Sequence, residues 1–219
     1  MLQPELFRSA EFADLIKKIL ALPRTDGRLM VAVSGAPASG KSTLAEFIAN
    51  SLSAAGRQAR YVPMDGFHLD NRILDARGLR ARKGAPETFD ADGFVALMRR
   101  MKLGGDVVYP MFDRSRDLAV AGAGIIEEST DIAVVEGNYV LQSEAPWSEL
   151  ADVWDLSVYL DVPEETLRQR CIQRWLDHDH TPEAARLRAE GNDMVNAKRV
   201  IENRLAADVT IRSDAVPAS

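Results

Sequence analysis

The chain has 219 residues, one cysteine and a formal net charge of −6. That acidic balance argues against nonspecific nucleic-acid binding, which needs a basic surface. A lone Cys171 excludes an intrachain disulfide, suits a reducing cytoplasm and is expected to pack as a small hydrophobe.

The first 22 residues read as an amphipathic helix, with Leu6, Phe12, Leu15, Ile16, Ile19 and Leu20 on its apolar side. Glu5, Arg8, Glu11, Asp14, Lys17 and Lys18 break every apolar run, so no secretory signal is expected there. No later stretch reaches the length of a membrane span, and no membrane role is expected. Leu29-Met30-Val31-Ala32-Val33 reads as a buried parallel strand. It runs into Gly35-Ala36-Pro37-Ala38-Ser39-Gly40-Lys41-Ser42, which has the spacing G-x-x-x-x-G-K-[ST] of a phosphate-binding P-loop.

The chemistry explains the spacing. The glycines let successive N–H groups point inward at phosphate oxygens; Lys41 reaches the β- and γ-phosphates, and the Ser42 hydroxyl suits Mg²⁺. A helix follows from Ser42 and Thr43, with Leu44, Phe47 and Ile48 on one face, and its N-terminal dipole adds to the attraction for anions. Gly35 to Thr43 are therefore the expected nucleotide-binding residues, and ATP with Mg²⁺ the expected cofactors.

Ala59–Met64 reads as a second strand ending at Asp65-Gly66. Asp90 caps a helix through Met98, closed by Gly104-Gly105, and Val107-Val108-Tyr109-Pro110 is a short extended piece. Ile132–Val135 is a third strand, ending at Glu136-Gly137. Leu156–Leu160 is a fourth, with Pro163 opening a helix, and Val209–Ile211 a last one. Residues 175–192, around Asp177-His178-Asp179-His180-Thr181-Pro182, read as a mobile lid, and 213–219 as a frayed tail. His178 and His180 have no third clustered ligand, which argues against zinc. Strands alternating with helices predict an α/β fold, a three-layer α/β/α P-loop NTPase with a parallel five-stranded sheet and a small helical lid. The whole of 1–219 reads as a single domain.

In such sheets ligands sit beyond the carboxyl ends of the strands, where the P-loop, Asp65 and Glu136 converge. Asp65 is the candidate base for an acceptor hydroxyl, and Glu136 a candidate metal-side carboxylate with Ser42. Of Arg168, Arg170 and Arg174, the last stands at the lid junction and is expected to swing onto the phosphates. The basic stretch ending in Lys83, and the polar-aromatic segment from Tyr109 to Arg114, are the candidate acceptor-side loops, with His68 beside them.

Together these residues resemble the pantothenate kinase, uridine kinase and phosphoribulokinase group of P-loop kinases. The similarity rests on the P-loop, Met64-Asp65-Gly66-Phe67-His68, the segments Lys83–Asp90 and Tyr109–Arg114, Val134–Tyr139 and Asn192-Asp193-Met194-Val195-Asn196. More narrowly, the chain is similar to short bacterial members named as fructose transport system kinases. The resemblance implies catalytic roles for Asp65, Glu136 and Arg174, beside Lys41 of the P-loop. It places the acceptor-side residue on Arg114, where pantothenate kinases more usually have histidine; Asp65, His68, Lys83 and Tyr109 are the other expected acceptor contacts, from their positions in the chain. The expected activity is phosphorylation of a small-molecule hydroxyl, first a sugar, with pantothenate- or nucleoside-type acceptors as alternatives. A regulatory NTPase switch is the rival of another class, although no Asn-Lys-x-Asp-type guanine-reading segment occurs. The expected partner is a small-molecule substrate, and a homodimer is the default assembly.

Overall fold

The computed structural model describes residues 9–23 and 27–213. Leu6 and most of the tail expected to fray therefore lie outside the described residues. Helix α1 (Ala10–Leu20) starts where the Ser9 hydroxyl accepts from the Phe12 amide, and it buries Phe12, Leu15 and Ile19. Strand β1 (Leu29–Gly35) is buried at every position. Helix α2 (Lys41–Ala54) and strand β2 (Ala59–Pro63) follow, and Met64–Phe67 forms a turn of 3₁₀ helix where the second strand had been expected to continue to Met64. After α3 (Asn71–Ala76) and α4 (Ala91–Lys102), strands β3 (Val107–Asp113) and β4 (Leu118–Ile126) make a separate antiparallel hairpin. Strands β5 (Ile132–Gly137) and β6 (Leu156–Asp161), helices α5 (Glu164–Leu176), α6 (Pro182–Arg188) and α7 (Met194–Glu202), and strand β7 (Val209–Arg212) complete the described chain.

The main sheet has the order β2-β5-β1-β6-β7, with every neighbouring pair parallel. Its strands carry apolar residues on both faces, as a sheet covered on both sides must. Val31, Val33, Ile132 and Val134 face a cluster that includes Leu44, Ile48 and Leu52 of α2, Leu15 and Ile19 of α1, and Leu167 of α5. Met30, Ala32, Ala133 and Val135 face the opposite cluster, with Phe94 and Met98 of α4, Tyr109 of the hairpin and Trp147. The result is the three-layer α/β/α arrangement.

Several expectations need correction. Phe47 is 37% exposed, because the buried stripe of α2 runs through Leu44, Ala45, Ile48, Ala49 and Leu52; its ring meets the edge of Phe12 of α1 at 5.1 Å. The segment Tyr109–Arg114 is mostly strand, paired across to Leu118–Gly124. Pro163 is the cap of α5 and precedes its first turn. The small helical lid expected over 175–192 needs no such correction, since that stretch takes in the end of α5, all of α6 and most of a π-helical turn, Ala189–Asp193, that runs into α7. Ser213, placed in the frayed tail, is buried and its amide donates to the Asp161 carbonyl at 2.9 Å. Cys171 is fully buried, and burial pushes its thiol up to about 11, as suits a packing residue.

Candidate active site

The parallel register sets the site. Glu136, next to last in β5, lies level with Val33 of β1 on one side and Pro63 of β2 on the other. The carboxyl ends of three strands thus deliver the P-loop, the Asp65 turn and Glu136 to one edge of the sheet.

The loop between β1 and α2 is shaped for an anion. Ala38 and Gly40 both have positive φ, 62° and 97°, a conformation natural to glycine and uncommon for alanine. Gly40 occupies the cap position of α2, and no side chain caps that helix. By contrast α1, α3, α4 and α6 are capped by Ser9, Asp70, Asp90 and Thr181. The first amides of α2 are left for a ligand. Two further groups point the same way. The buried Ser39 hydroxyl and the buried Nη2 of Arg170 have no hydrogen-bond partner among the described residues, while Arg170 Nη1 donates to the Ser39 carbonyl at 3.0 Å. A buried polar atom without a partner is costly, so this donor set fits a bound polyphosphate.

Glu136 is 5% exposed. One of its oxygens, Oε2, accepts from Ser42 Oγ at 3.0 Å and from the Tyr61 hydroxyl at 2.9 Å; the other, Oε1, lies 3.6 Å from Lys41 Nζ. Burial raises the pKa of the carboxyl, Lys41 opposes that rise, and the nearby Asp65 charge adds to it. Burial and the Glu136 charge likewise push the Tyr61 hydroxyl well above the usual phenol range, so it stays a donor. A serine hydroxyl beside a buried carboxylate is the hard-oxygen donor set that Mg²⁺ takes, and these residues fit that ion.

Asp65 sits in the 3₁₀ turn after β2, and its neighbour Gly66 is required by close packing. A Cβ there would lie 2.0 Å from the Pro110 carbonyl of the hairpin. The hairpin consequently presses on this turn, and Arg114 at its tip donates to Asp65 Oδ2 at 2.8 Å. His68 shares a hydrogen bond with the Asp65 carbonyl through Nδ1 at 2.8 Å, and its ring lies between Phe89 at 4.0 Å and Phe112 at 4.8 Å. Burial lowers the His68 pKa, favouring the neutral ring.

Asp65, His68, Arg114, Lys41, Ser42 and Glu136 thus belong to one connected region. The other expected residues have different surroundings. Tyr109 is a core residue, its ring against Gly124 of β4 and its hydroxyl 3.5 Å from the Tyr61 carbonyl. Lys83 is fully engaged: it donates to Asn71 Oδ1, to the Asp117 carbonyl and to Asp117 Oδ1, all between 2.8 and 2.9 Å, which ties α3 to the hairpin turn. Next to it, Arg82 donates to Asn192 and Asn196, so Lys83 and Arg82 also connect the hairpin to the base of α7. Arg174 turns to Asp193 at 2.9 Å, and Trp175 Nε1 donates to the same oxygen at 2.6 Å. Of the three helical arginines, the one that touches the P-loop is Arg170, while Arg168 is held by Glu164, Glu165 and Glu190.

Two participants escaped the sequence reading, Tyr61 and the P-loop contact of Arg170. The alternation of β2 carried a signal for the first. Tyr61 has the same parity as Ala59, which faces the α2 side, and that is also the side of Glu136 across β5.

The phosphoribulokinase / uridine kinase family profile matches residues 30–187. A Schizosaccharomyces pombe protein provisionally named as a uridine kinase is 32% identical over 213 residues, covering 93% of this chain and 91% of its own length. Pantothenate kinase of Yersinia enterocolitica is 33% identical over 165 residues, which are 69% of this chain and 52% of that enzyme. The crystal structure of a protein from Silicibacter sp. TM1040, provisionally named as a fructose transport system kinase, has a TM-score of 0.90 at 49% identity and covers 93% of this chain and 100% of that one. The P-loop, the strand-end carboxylates and these similarities lead to one assignment: the chain belongs to the phosphoribulokinase / uridine kinase family and is a P-loop kinase, a phosphotransferase acting on hydroxyl groups.

Proposed function

We propose that the chain transfers the γ-phosphoryl group of ATP to a hydroxyl of a small metabolite, with sugars the first acceptor class to test. The observation that carries this reading is the placement of the Asp65 carboxylate at the same sheet edge as Lys41, Ser42 and Glu136, facing the hairpin through Arg114. As the acceptor oxygen attacks the γ-phosphorus, its proton passes to an Asp65 carboxylate oxygen, and the bond from that phosphorus to the β–γ bridging oxygen breaks to leave ADP. The amides of residues 35–43 and Lys41 hold the phosphates. Arg170, rather than Arg174, is the arginine nearest the loop and suits the charge on the transferring group. Ser42 and Glu136 would hold Mg²⁺, which supplies charge neutralisation on the phosphate oxygens. His68 and Arg114 orient the acceptor, while Lys83 and Tyr109 shape the site from behind.

An ADP-release screen over sugars, pantothenate and nucleosides tests this, with the Asp65→Asn protein as its blank. The expected result is acceptor-dependent turnover in the wild type and a loss of roughly a hundredfold or more in the variant, with nucleotide affinity nearly unchanged. Equal turnover by both proteins removes Asp65 from the mechanism. Hydrolysis with no acceptor dependence and a preference for GTP would point to a regulatory switch.

A further inference from the structure

Three groups hold the Glu136 carboxylate, and they do not come from the same part of the molecule. Lys41 and Ser42 belong to the loop and helix start that face the phosphates. Tyr61 belongs to β2, a strand of the sheet itself, and its ring packs beside the cluster under α2. The difference has a chemical consequence. The Lys41 contact with Oε1 is loose at 3.6 Å, and a lysine in this loop is drawn to a triphosphate when one binds. Ser42 can donate to Glu136 while its lone pairs face elsewhere, but its rotamer is then shared between two demands. Only the Tyr61 hydroxyl, at 2.9 Å on a side chain with two stiff torsions, reaches the carboxylate from the fixed framework.

We propose that Tyr61 is a positioning residue: its hydroxyl holds the Glu136 carboxylate toward Ser42 while Lys41 is engaged by phosphate. The inference rests on the reading of Glu136 and Ser42 given above, and it goes beyond that reading by assigning a role on β2, outside the P-loop and the strand ends. The Tyr61 hydroxyl donates to Glu136 Oε2. It selects an oxygen that already accepts from Ser42, so the two donors fix one orientation of the carboxylate.

Tyr61→Phe keeps the ring and removes the donor. Binding of a fluorescent ADP analogue, measured with and without Mg²⁺, separates the possibilities without requiring an acceptor. In the wild type Mg²⁺ tightens binding. In Tyr61→Phe the metal-free affinity stays within about twofold, and the gain from Mg²⁺ falls roughly tenfold, the usual scale for removing a group that orients a ligand. In a Glu136→Gln background the same substitution has no further effect on that gain, whereas a residue that served only packing would weaken binding there too. A folded Tyr61→Phe protein whose Mg²⁺ gain matches the wild type overturns the role of Tyr61 and leaves the kinase reading standing. A wild type whose ADP binding ignores Mg²⁺ overturns both the role of Tyr61 and the metal-holding role of Ser42 and Glu136.

Discussion

Arg28 is 1% exposed, yet it carries a charge and has no carboxylate within salt-bridge distance among the described residues. Its guanidinium donates to four carbonyls, those of Thr130, Met101, Gly105 and Glu127, at 2.8 to 3.0 Å. Met101 lies in the last turn of α4 and Gly105 just before β3, while Glu127 and Thr130 follow β4, so one side chain joins the α4–β3 and β4–β5 connections at the amino-terminal edge of β1. Burial lowers its pKa, opposed by Asp106, but an arginine remains charged throughout the working range. Arg28→Met fills much of the space and leaves four carbonyls without their donor. The expected loss is about 3 kcal/mol of unfolding free energy, read from the urea midpoint at constant slope. Nucleotide affinity in the folded protein should not change. Nothing in the sequence singled out Arg28, because its role depends on partners about 73 to 102 positions away. Arg170 and Arg174 teach the same lesson more closely. Helical spacing set them on one face, but only packing decides that the first meets the Ser39 carbonyl and the second meets Asp193.

Among elements, the strands of the central sheet were legible because buried parallel strands are short apolar runs, and Leu29–Val33 and Ile132–Val135 are such runs. Strand β4 was not. Leu118-Ala119-Val120-Ala121-Gly122-Ala123-Gly124 is rich in alanine and glycine, which have weak strand preference, and its pairing with β3 includes an irregularity between Tyr109 and Met111. The hairpin's stability therefore depends on what holds it from outside. Pro110 packs on Gly66, and Lys83 reaches the turn at Asp117, a residue held at φ 53°. Lys83→Met removes three hydrogen bonds and retains most of the stem. Amide exchange for residues 114–119 should quicken by about fivefold to tenfold, corresponding to roughly 1 kcal/mol of lost local stability, while exchange in β1 and β5 stays unchanged. Equal protection at the turn in both proteins would mean that packing against the Asp65 turn suffices without Lys83.

At the scale of the whole molecule, the convergence of strand ends could be anticipated from the order of the elements, because parallel strands joined by crossovers point the same way. What the sequence could not supply was the chemistry between the layers, where His68 lies with its ring between Phe89 and Phe112. That placement links global stability to pH. Burial lowers the His68 pKa in the folded state below the ordinary 6.5, so the unfolded chain binds the proton more readily. The stability that neutral His68 contributes is thus complete above about pH 6.5 and is lost progressively as the pH falls from there toward the depressed folded value. Asp113, Asp117 and Asp208 have folded pKa values below the ordinary 3.8, so their losses begin at more acidic pH. Glu136 works in the opposite sense. Its raised pKa means that the folded state holds a proton more readily than the unfolded one, and its contribution declines as the pH rises above the ordinary 4.5. A comparison of two proteins removes this opposing effect. Melting curves of the wild type and of His68→Phe, taken from pH 7.5 to pH 5, carry the same Glu136 contribution, so their difference belongs to the imidazole. Phenylalanine keeps a ring between Phe89 and Phe112 and carries no titrating group. The wild type should lose more stability than the variant over the acidic half of that range. Parallel curves would mean that the His68 ring takes up its proton as easily in the folded molecule as in the open chain, and that the site tolerates an imidazolium beside Lys83 and Arg114.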